Sequence, residues 1–354
     1  MKRAPLLISI NWKTGEQNII PINIPDVSPK KTQLEDFQVL ESANELFLYV
    51  KAALEKRKSD IYVLQLNDRG EKEEIYNLTD NIEENIIEIS TSKISDDQYV
   101  FTGTYSKKYT INSDGLFFCQ AKKERIDFLE FYPFLELENF LSYLPEKRQE
   151  KLEKKKKEKK GKSLKLSYRI APHEVIKLAD GYLFLGEAYY PTYRTETYTT
   201  TSVSNGVSTT STHTRQVFDG FQYTHAILCK FDKRGKLVWD EIFEMYPRYK
   251  PFEVKKLISI SDRNDKALKL VFASQDKIVA KAIDYEGNVI LDKQSEEIGT
   301  NFEGDKSKSS FSNVDYWYKN YFIAYGQQKI KNKEGSANVK SKRKIFFISK
   351  VKFD

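Results

Sequence analysis

One short pattern recurs along the chain and constrains its fold more than any other feature. An apolar strand ends in Asn or Asp, a polar turn that contains Gly follows, and a second apolar strand begins. The pattern covers residues 8–15, 61–70, 226–235 and 277–287. A repeat at such spacing indicates that one supersecondary unit is used several times, so it predicts the architecture, although it says nothing about chemistry.

Each full repeat is predicted to contain four strands, a to d. In the third copy the pattern places them at about 174–179, 182–190, 224–231 and 237–245. The other full copies are predicted at about 37–78, 86–134, 253–298 and from 314 onward. Four-stranded units in series with short connections are typical of a β-propeller, and a β-sandwich is the main alternative. Abundant aromatic residues, with 22 Tyr and 22 Phe, also favour strands.

The strand count leaves the number of blades open. The chain begins with a c-like strand at 6–12 and a d-like strand at 18–24, and the last copy lacks strand d. This count fits five blades with one surplus strand, or six blades if the natural N-terminus has been removed. We therefore predict an all-β fold, a single propeller domain over residues 1–354 with five to six four-stranded blades.

Two insertions interrupt the repeat, and the first is predicted to be helical over residues 135–165. Leu137, Phe140, Leu141 and Leu144 have helical spacing. After Pro145, a Lys-rich stretch favours helix but has almost no apolar face, so we expect this helix to project into solvent.

The second insertion, residues 191–222, is predicted to be a long β-hairpin arm despite its Ser/Thr-rich composition. Asn205-Gly206 is a strong signal for a two-residue hairpin turn, because both central residues need a positive φ. Folding about this turn places four pairs of residues opposite each other on the two strands. The pairs are Ser204 with Val207, Thr201 with Thr210, Tyr198 with His213, and Glu196 with Arg215. A disordered linker is the alternative.

Positive charge is concentrated in two segments. Residues 146–162 and residues 329–344 each carry a net charge of +6, against +7 for the whole chain, so the remainder is net −5. In a propeller blade the b–c loops and d–a links emerge on one face. We therefore expect the Lys-rich helix, the arm and segment 329–344 to share that face, and we expect function there.

The sequence predicts no motif for catalysis or metal binding. The three histidines form no motif, and His225 is interpreted as a structural histidine. Cys119 and Cys229 occupy equivalent places in consecutive repeats and are predicted to be buried free thiols. No cofactor is predicted. Paired carboxylates of a glycoside hydrolase leave no local trace in a sequence, so a carbohydrate-active propeller stays open.

The candidate partner-binding residues come from the two insertions. Tyr and Arg are typical interface anchors, although a hairpin base that merely packs on its neighbour is the competing interpretation. The Lys run has no interleaved aromatic residues, so no specific nucleic-acid binding is predicted. The candidates are Tyr190, Tyr193, Arg194, Tyr198, His213, Arg215 and Tyr223 in the arm, and Lys154, Lys155, Lys156 and Lys157 in the helix.

Residues 180–190 together with 231–240 resemble repeat propellers in bacterial proteins of unassigned function. Trp239-Asp240 occurs once and not in every copy, unlike the Trp-Asp repeat class. The resemblance implies a propeller fold and often an exported, envelope-associated protein, and it implies no catalytic residues.

Three functions are consistent with this reading. The first is a non-enzymatic scaffold that binds another macromolecule, a protein, through the face expected to carry the Lys-rich helix, the arm and segment 329–344. The second is a glycan-binding or carbohydrate-active propeller with a site at the central channel mouth, and the third is polyanion adhesion through the Lys segments. No membrane span is predicted. We expect a cytoplasmic location if Met1 is the natural start, and a cell-envelope location if the N-terminus has been trimmed.

Overall fold

The computed structural model describes residues 5–53, 59–80, 82–108, 110–158, 168–247, 249–261, 266–300, 302, 304–332 and 341–353. These residues form 22 β-strands and one α-helix, α1 (Glu146–Glu158). Short 3-10 turns occur at Pro29–Lys31, Glu41–Ala43 and Phe134–Glu136. The strands in chain order are β1 (Leu6–Ile10), β2 (Gln17–Pro21), β3 (Thr32–Leu40), β4 (Glu45–Ala53), β5 (Ser59–Leu66), β6 (Lys72–Asn77), β7 (Asn85–Ser95), β8 (Gln98–Ser106), β9 (Gly115–Lys122), β10 (Arg125–Pro133), β11 (Arg169–Pro172), β12 (Ile176–Lys177), β13 (Gly181–Ser204), β14 (Val207–Asp232), β15 (Leu237–Glu244), β16 (Ser259–Ile260), β17 (Ala267–Ser274), β18 (Lys277–Asp284), β19 (Val289–Glu297), β20 (Asp305–Tyr318), β21 (Tyr321–Asn332) and β22 (Lys342–Lys352).

Consecutive strands pair into a series of small sheets. Strands β3 to β6, β7 to β10 and β16 to β19 form three four-stranded antiparallel sheets. A further sheet has the order β11-β13-β14-β15, with β12 also paired to β13. Strands β20 to β22 form a three-stranded sheet, and β1 and β2 form a two-stranded one. The predicted all-β fold of serial four-stranded units, as in a multi-blade β-propeller, is therefore confirmed.

The chain divides into two compact units. The first contains residues 1–186 and 227–241, and the second contains residues 187–226 and 242–354. The first unit has an aromatic core in which Phe47, Tyr99 and Phe101 are almost fully buried. The core of the second unit includes Val271, Phe322 and Phe353. The prediction that residues 1–354 form one domain stays a prediction.

The recurring turn has the same hydrogen bonds wherever its Asn or Asp is kept. The side-chain Oδ1 of that residue accepts the backbone N–H two residues further on, and its carbonyl accepts the N–H of the turn Gly. In each turn the Gly has a positive φ. The local chemistry of the repeat is thus sufficient to form the turn. The four turns begin at Asn11, Asn67, Asp232 and Asp284.

The predicted helix over the apolar part of the first insertion is wrong. Residues 137–144 form turns, and the Asp240 carboxylate accepts the backbone N–H groups of Glu138 and Asn139 at 2.8 Å each. Phe140 is buried and stacks on Phe134, with ring centroids 4.8 Å apart. A carboxylate about a hundred residues away thus holds the backbone of Glu138 and Asn139 in this non-helical conformation.

The Lys-rich helix that was predicted after Pro145 is present as α1, and it begins where the Pro145 carbonyl accepts the N–H groups of Arg148 and Gln149. Strand a of the third repeat was predicted at about 174–179, whereas the structure places β11 at Arg169–Pro172 and only the two-residue β12 within the predicted range. Apolar residues are buried in both segments, Ile170 and Ala171 in β11 and Val175 and Ile176 in the predicted range, so burial alone does not distinguish them. Cys119 and Cys229 are free and buried, as predicted.

Candidate interaction surface on the hairpin arm

The second insertion is an ordered β-hairpin, as predicted. Strands β13 and β14 are joined by Asn205 and Gly206, whose φ values of 49° and 77° match a turn in which both central residues are left-handed. Residues 182–189 of β13 are buried, and the strand is largely exposed from Tyr190 outward. Strand β14 is exposed from Val207 to residue 216 and fully buried from Tyr223. One continuous hairpin therefore has an inner, buried half and an outer, exposed half, and the outer half is the arm.

The cross-strand pairs predicted from the turn are present. The Thr201 and Thr210 hydroxyls are 3.3 Å apart, and the rings of Tyr198 and His213 stack with centroids separated by 5.4 Å. These contacts confirm the predicted register, because a slip of one residue would move every side chain of one strand to the other face.

Five side chains form a connected cluster on one face of the arm. We call it the arginine–aromatic face, and it contains Arg194, Glu196, Tyr198, His213 and Arg215. The Glu196 carboxylate contacts the Arg194 guanidinium at 2.7 Å and the Arg215 guanidinium at 2.9 Å. Arg215 also lies over the Tyr198 ring, 5.8 Å from its centroid, and Tyr198 stacks on His213. One acidic side chain and one ring therefore hold two cations in place.

The electrostatics of this face follow from its exposure. The hydrogen bond from Arg215, assisted by the charge of Arg194, lowers the pKa of Glu196, so the carboxylate stays ionised at neutral pH. The Arg194 and Arg215 side chains remain 61% and 65% exposed. The face thus presents two accessible guanidinium groups with one excess positive charge. Such groups bind carboxylates in a bidentate manner and stack on planar groups.

Aromatic rings form a second cluster at the base of the arm, which we call the aromatic root. The Phe218 ring contacts Tyr193 and Phe252, with centroid separations of 6.0 and 5.7 Å. Tyr193 is 61% exposed and Phe252 is 68% exposed. Phe252 was missed in the sequence because it lies on a separate segment, and nothing in its local sequence indicates this contact. Tyr190, at the start of the exposed part of β13, is just over a third exposed.

Tyr223, one of the predicted partner-binding residues, lies in the core and does not belong to either surface. It is fully buried, its hydroxyl donates to the Lys255 carbonyl at 2.5 Å, and the same oxygen accepts the Lys255 N–H at 2.9 Å. Burial raises the pKa of this hydroxyl well above its usual range. Residues 223–231 of β14 are buried consecutively, so both faces of the strand are covered there, whereas residues 207–216 are exposed on both faces.

The Lys residues of the first insertion lie on α1. Lys154 is exposed, whereas the side chains of Lys155, Lys156 and Lys157 lie outside the described part of the structure. Residues 333–340 of the second basic segment also lie outside it, and on either side of them Lys329, Lys342 and Lys344 are exposed. The expectation that these segments share a face with the arm stays a prediction.

A cavity of about 300 Å³ in the first unit is lined by acidic side chains, unlike the surface of the arm. Glu35 and Asp36 of β3 and Glu88 of β7 line it, together with Lys51 and Tyr49 of β4. Burial, reinforced by the charges of Asp36 and Glu35 and opposed by Arg169, raises the pKa of Glu88 to about 7. Glu88 therefore exchanges its proton near neutral pH. Because these side chains come from three separate strands, sequence inspection could not group them.

The described residues lack two other kinds of site. Within them, no helix is both long and apolar enough to cross a bilayer. In the same part of the chain, no three His, Cys, Asp or Glu side chains come together in an arrangement that could hold a metal ion. His225 is buried, its Nδ1 lies 2.9 Å from the Thr224 hydroxyl, and burial lowers its pKa to about 3, which fits the predicted structural role.

Comparisons with known proteins show only distant similarity. No protein-family model matches the chain, and no curated protein matches it. Among solved structures, prolyl oligopeptidase B from Galerina marginata in complex with a 35-residue hydrolysis and macrocyclization substrate is 9% identical, with a TM-score of 0.27 over 93% of this chain. A structure from a study of two prolyl endopeptidases is 6% identical, with a TM-score of 0.30 over 98% of this chain. This chain spans 44% and 46% of those proteins, and similarity this low indicates neither a shared fold nor a shared activity.

Proposed function

We propose that this protein is a non-enzymatic binding module that engages another protein through its arm. The observation that carries this proposal is the arginine–aromatic face, where two exposed guanidinium groups are held by Glu196 and Tyr198. Side chains that are already ordered lose little conformational entropy when a partner binds. Arg and Tyr are also the residues most often responsible for binding energy at protein interfaces.

The aromatic root supports the same proposal. Tyr193 and Phe252 expose large ring surfaces next to the arm, and both pack on the partly buried Phe218. A partner that covers these rings would bury apolar area, while its acidic side chains would pair with Arg194 and Arg215. The partner surface is therefore expected to be acidic with an exposed apolar patch. The Lys-rich helix would add to the attraction for an acidic partner if it shares this face.

The test compares variants that differ only at the proposed surface. The full chain is used as bait, captured proteins are identified by mass spectrometry, and each is then titrated with the purified chain. Arg194→Ala combined with Arg215→Ala is expected to weaken binding at least about tenfold, because each truncation removes a charge-assisted contact. Replacing residues 195–214 with a short turn should abolish binding and leave the melting temperature unchanged.

Arg69→Ala combined with Arg234→Ala provides the matched control. Both residues are exposed arginines in recurring turns, so this variant loses the same charge at another site. Equal weakening in both double variants would indicate a general charge effect. Undiminished capture after removal of the arm would contradict the proposal.

A second candidate function is a glycan-binding or carbohydrate-active site, and the cavity at Glu88 favours it. A carboxyl group that is protonated near neutral pH can act as a general acid, and a nearby ionised carboxylate can assist. Purified chain would be tested for binding and cleavage of soluble polysaccharides across pH 5 to 9. Glu88→Gln should remove cleavage and its pH dependence, whereas Glu297→Gln, at an exposed acid outside the cavity lining, should not. Absence of both binding and cleavage would contradict this candidate.

A further inference from the structure

The sheet formed by β20, β21 and β22 places lysines directly opposite each other on neighbouring strands. In its register, Lys331 pairs with Lys306 on one side and with Lys342 on the other. Two residues along β21, Lys329 pairs with Lys344. Residues at this spacing in a strand point to the same side, so five lysines share one side of the sheet, which we call the lysine face.

The lysine face has no acidic counterpart to balance its charge. Lys331 is half-buried and the other four lysines are exposed. Within the described part of the chain, none of the five forms an ion pair with an acidic side chain. Asp305, at the same end of the sheet, is fully buried on the opposite side, where it contacts Arg343. Like charges directly opposite each other destabilise a sheet, so a bound anion would stabilise this one.

The same end of the sheet forms a cleft large enough for a phosphate group, with a volume of about 340 Å³. Its described lining consists of Ile330 and six cationic side chains, namely Lys308, Arg343 and four lysines of the lysine face. The ammonium group of Lys is a compact point charge that binds phosphate without a fixed geometry. The cleft therefore favours a ligand with several closely spaced negative charges.

Exposed aromatic rings follow the lysines on the same side of the sheet. Gln327, two residues before Lys329 on β21, pairs with Phe311 on β20 and with Phe346 on β22. Phe346 is 63% exposed and Phe311 is 39% exposed. The lysine face thus continues into a row of rings, whereas the Lys run of α1 contains no aromatic residue. Cations for phosphates together with rings for unpaired bases are the combination that binds single-stranded nucleic acid.

Other acidic ligands fit this surface less well. A duplex keeps its bases stacked on one another, so exposed rings would add nothing to its binding. Protein interfaces are enriched in Arg and depleted in Lys, which is the reverse of the lysine face. Elements that lie on a membrane insert one apolar side and keep their cations on the other, but here cations and rings share one side.

We propose that the lysine face and the adjoining rings bind single-stranded nucleic acid without base specificity. Backbone phosphates contact Lys329 and Lys344, and a base stacks on Phe346. The residues of this site lie on β20 to β22, whereas the arginine–aromatic face lies on β13 and β14. The inference is therefore independent of protein capture by the arm.

Fluorescence anisotropy of labelled oligo(dT) with the purified full chain tests the phosphate contacts. The wild type is expected to bind, and the logarithm of its binding constant should fall linearly with the logarithm of the salt concentration, by about 0.7 for each phosphate contact. Lys329→Gln combined with Lys344→Gln should make this slope shallower by about 1.4. Lys72→Gln combined with Lys236→Gln, at two exposed lysines elsewhere, is the matched control and should keep the wild-type slope.

A second variant tests the stacking contact. Phe346→Ala should weaken oligo(dT) binding at least about fivefold and leave the salt slope unchanged, because stacking on a ring releases no counterions. Phe37→Ala, at a ring that is 59% exposed on β3, should bind like the wild type. Heparin, a polyanion without bases, should bind Phe346→Ala as tightly as it binds the wild type.

Three results would overturn the proposal. The first is no binding of oligo(dT) at low salt, and binding of phosphatidylserine vesicles in its place would assign the face to a membrane surface. The second is an equal change of slope in both Lys variants. The third is wild-type affinity of Phe346→Ala for oligo(dT), which would leave only general attraction to polyanions. Arg194→Ala combined with Arg215→Ala should keep oligo(dT) affinity, so this proposal and protein capture by the arm can fail separately.

Discussion

The inner and outer halves of the β13–β14 hairpin are equally regular, but different forces hold them. In the inner half Leu185, Ile227 and Cys229 are fully buried, and in the outer half Val203 and Val207 are 71% and 66% exposed. The inner half gains its stability from apolar burial, whereas the outer half depends on one turn and a set of cross-strand pairs. Regular structure alone therefore does not indicate where the stability of this protein lies.

The two halves are expected to differ most in the stability that is lost when an aromatic side chain is truncated to Ala. Phe231→Ala removes a fully buried ring that packs on Phe118 and Tyr132, with centroids 5.0 and 5.2 Å away. The expected loss in the free energy of unfolding is about 3–5 kcal/mol. Tyr198→Ala, in the exposed half, should cost less than about 0.5 kcal/mol. Denaturant unfolding measures both, and comparable losses would show that the arm contributes to the core.

A pH titration of stability compares two histidines of β14. His225 has a pKa of about 3 in the folded state, below its unfolded value of 6.5. The unfolded chain therefore binds more protons between these values, so the contribution of His225 to stability is complete above pH 6.5 and is lost as the pH falls toward 3. The slope is at most about 1.4 kcal/mol per pH unit.

His225→Gln should flatten this acid slope, and His213→Gln in the exposed half serves as its control and should keep the wild-type slope. Comparing slopes avoids the separate effect of each substitution on overall stability. If both variants retain the wild-type slope between pH 4 and 6.5, the buried state of His225 is not the source of the acid sensitivity.

Substitutions at two turn glycines distinguish the energetic cost of backbone strain from the cost of overpacking. Gly206 and Gly235 both have a positive φ, but a Cβ at Gly206 would meet nothing within 4 Å. A Cβ at Gly235 would lie 2.6 Å from the Phe118 ring and 2.7 Å from Phe128. Gly206→Ala should therefore cost about 1 kcal/mol, and only locally in the arm. Gly235→Ala adds overpacking and should cost about 2–4 kcal/mol in global stability. Equal melting temperatures for the two variants would contradict this difference.

The smallest effect is expected for the Thr201–Thr210 pair. Thr201→Ala removes one exposed cross-strand contact worth about 0.2–1 kcal/mol, and the melting temperature should not change. Hydrogen exchange of the arm amides should become faster, while the amides of the inner half keep their protection. Faster exchange in the inner half would show that the two halves open as one unit.

The parts of this protein that could be predicted are those governed by neighbours in sequence. The recurring turn begins with Asn or Asp because its own side chain accepts the following N–H groups, and the arm register follows from Asn205-Gly206. The Glu196–Arg215 contact was therefore predictable from the residues alone. The cavity at Glu88 and the contact of Phe252 with Phe218 were not, because their members lie far apart in the chain.

The sequence by itself determined the strand order, the turns and the arm, since each depends on hydrogen bonds and side-chain alternation within a few residues. Residues 137–144 are not helical, and only the tertiary structure shows that the Asp240 carboxylate, on a distant strand, binds the N–H groups of Glu138 and Asn139. Tertiary structure also decided that Tyr223 is buried and Tyr193 exposed, although both are tyrosines of one hairpin. Burial depends on which segments pack together, and a local pattern does not record that.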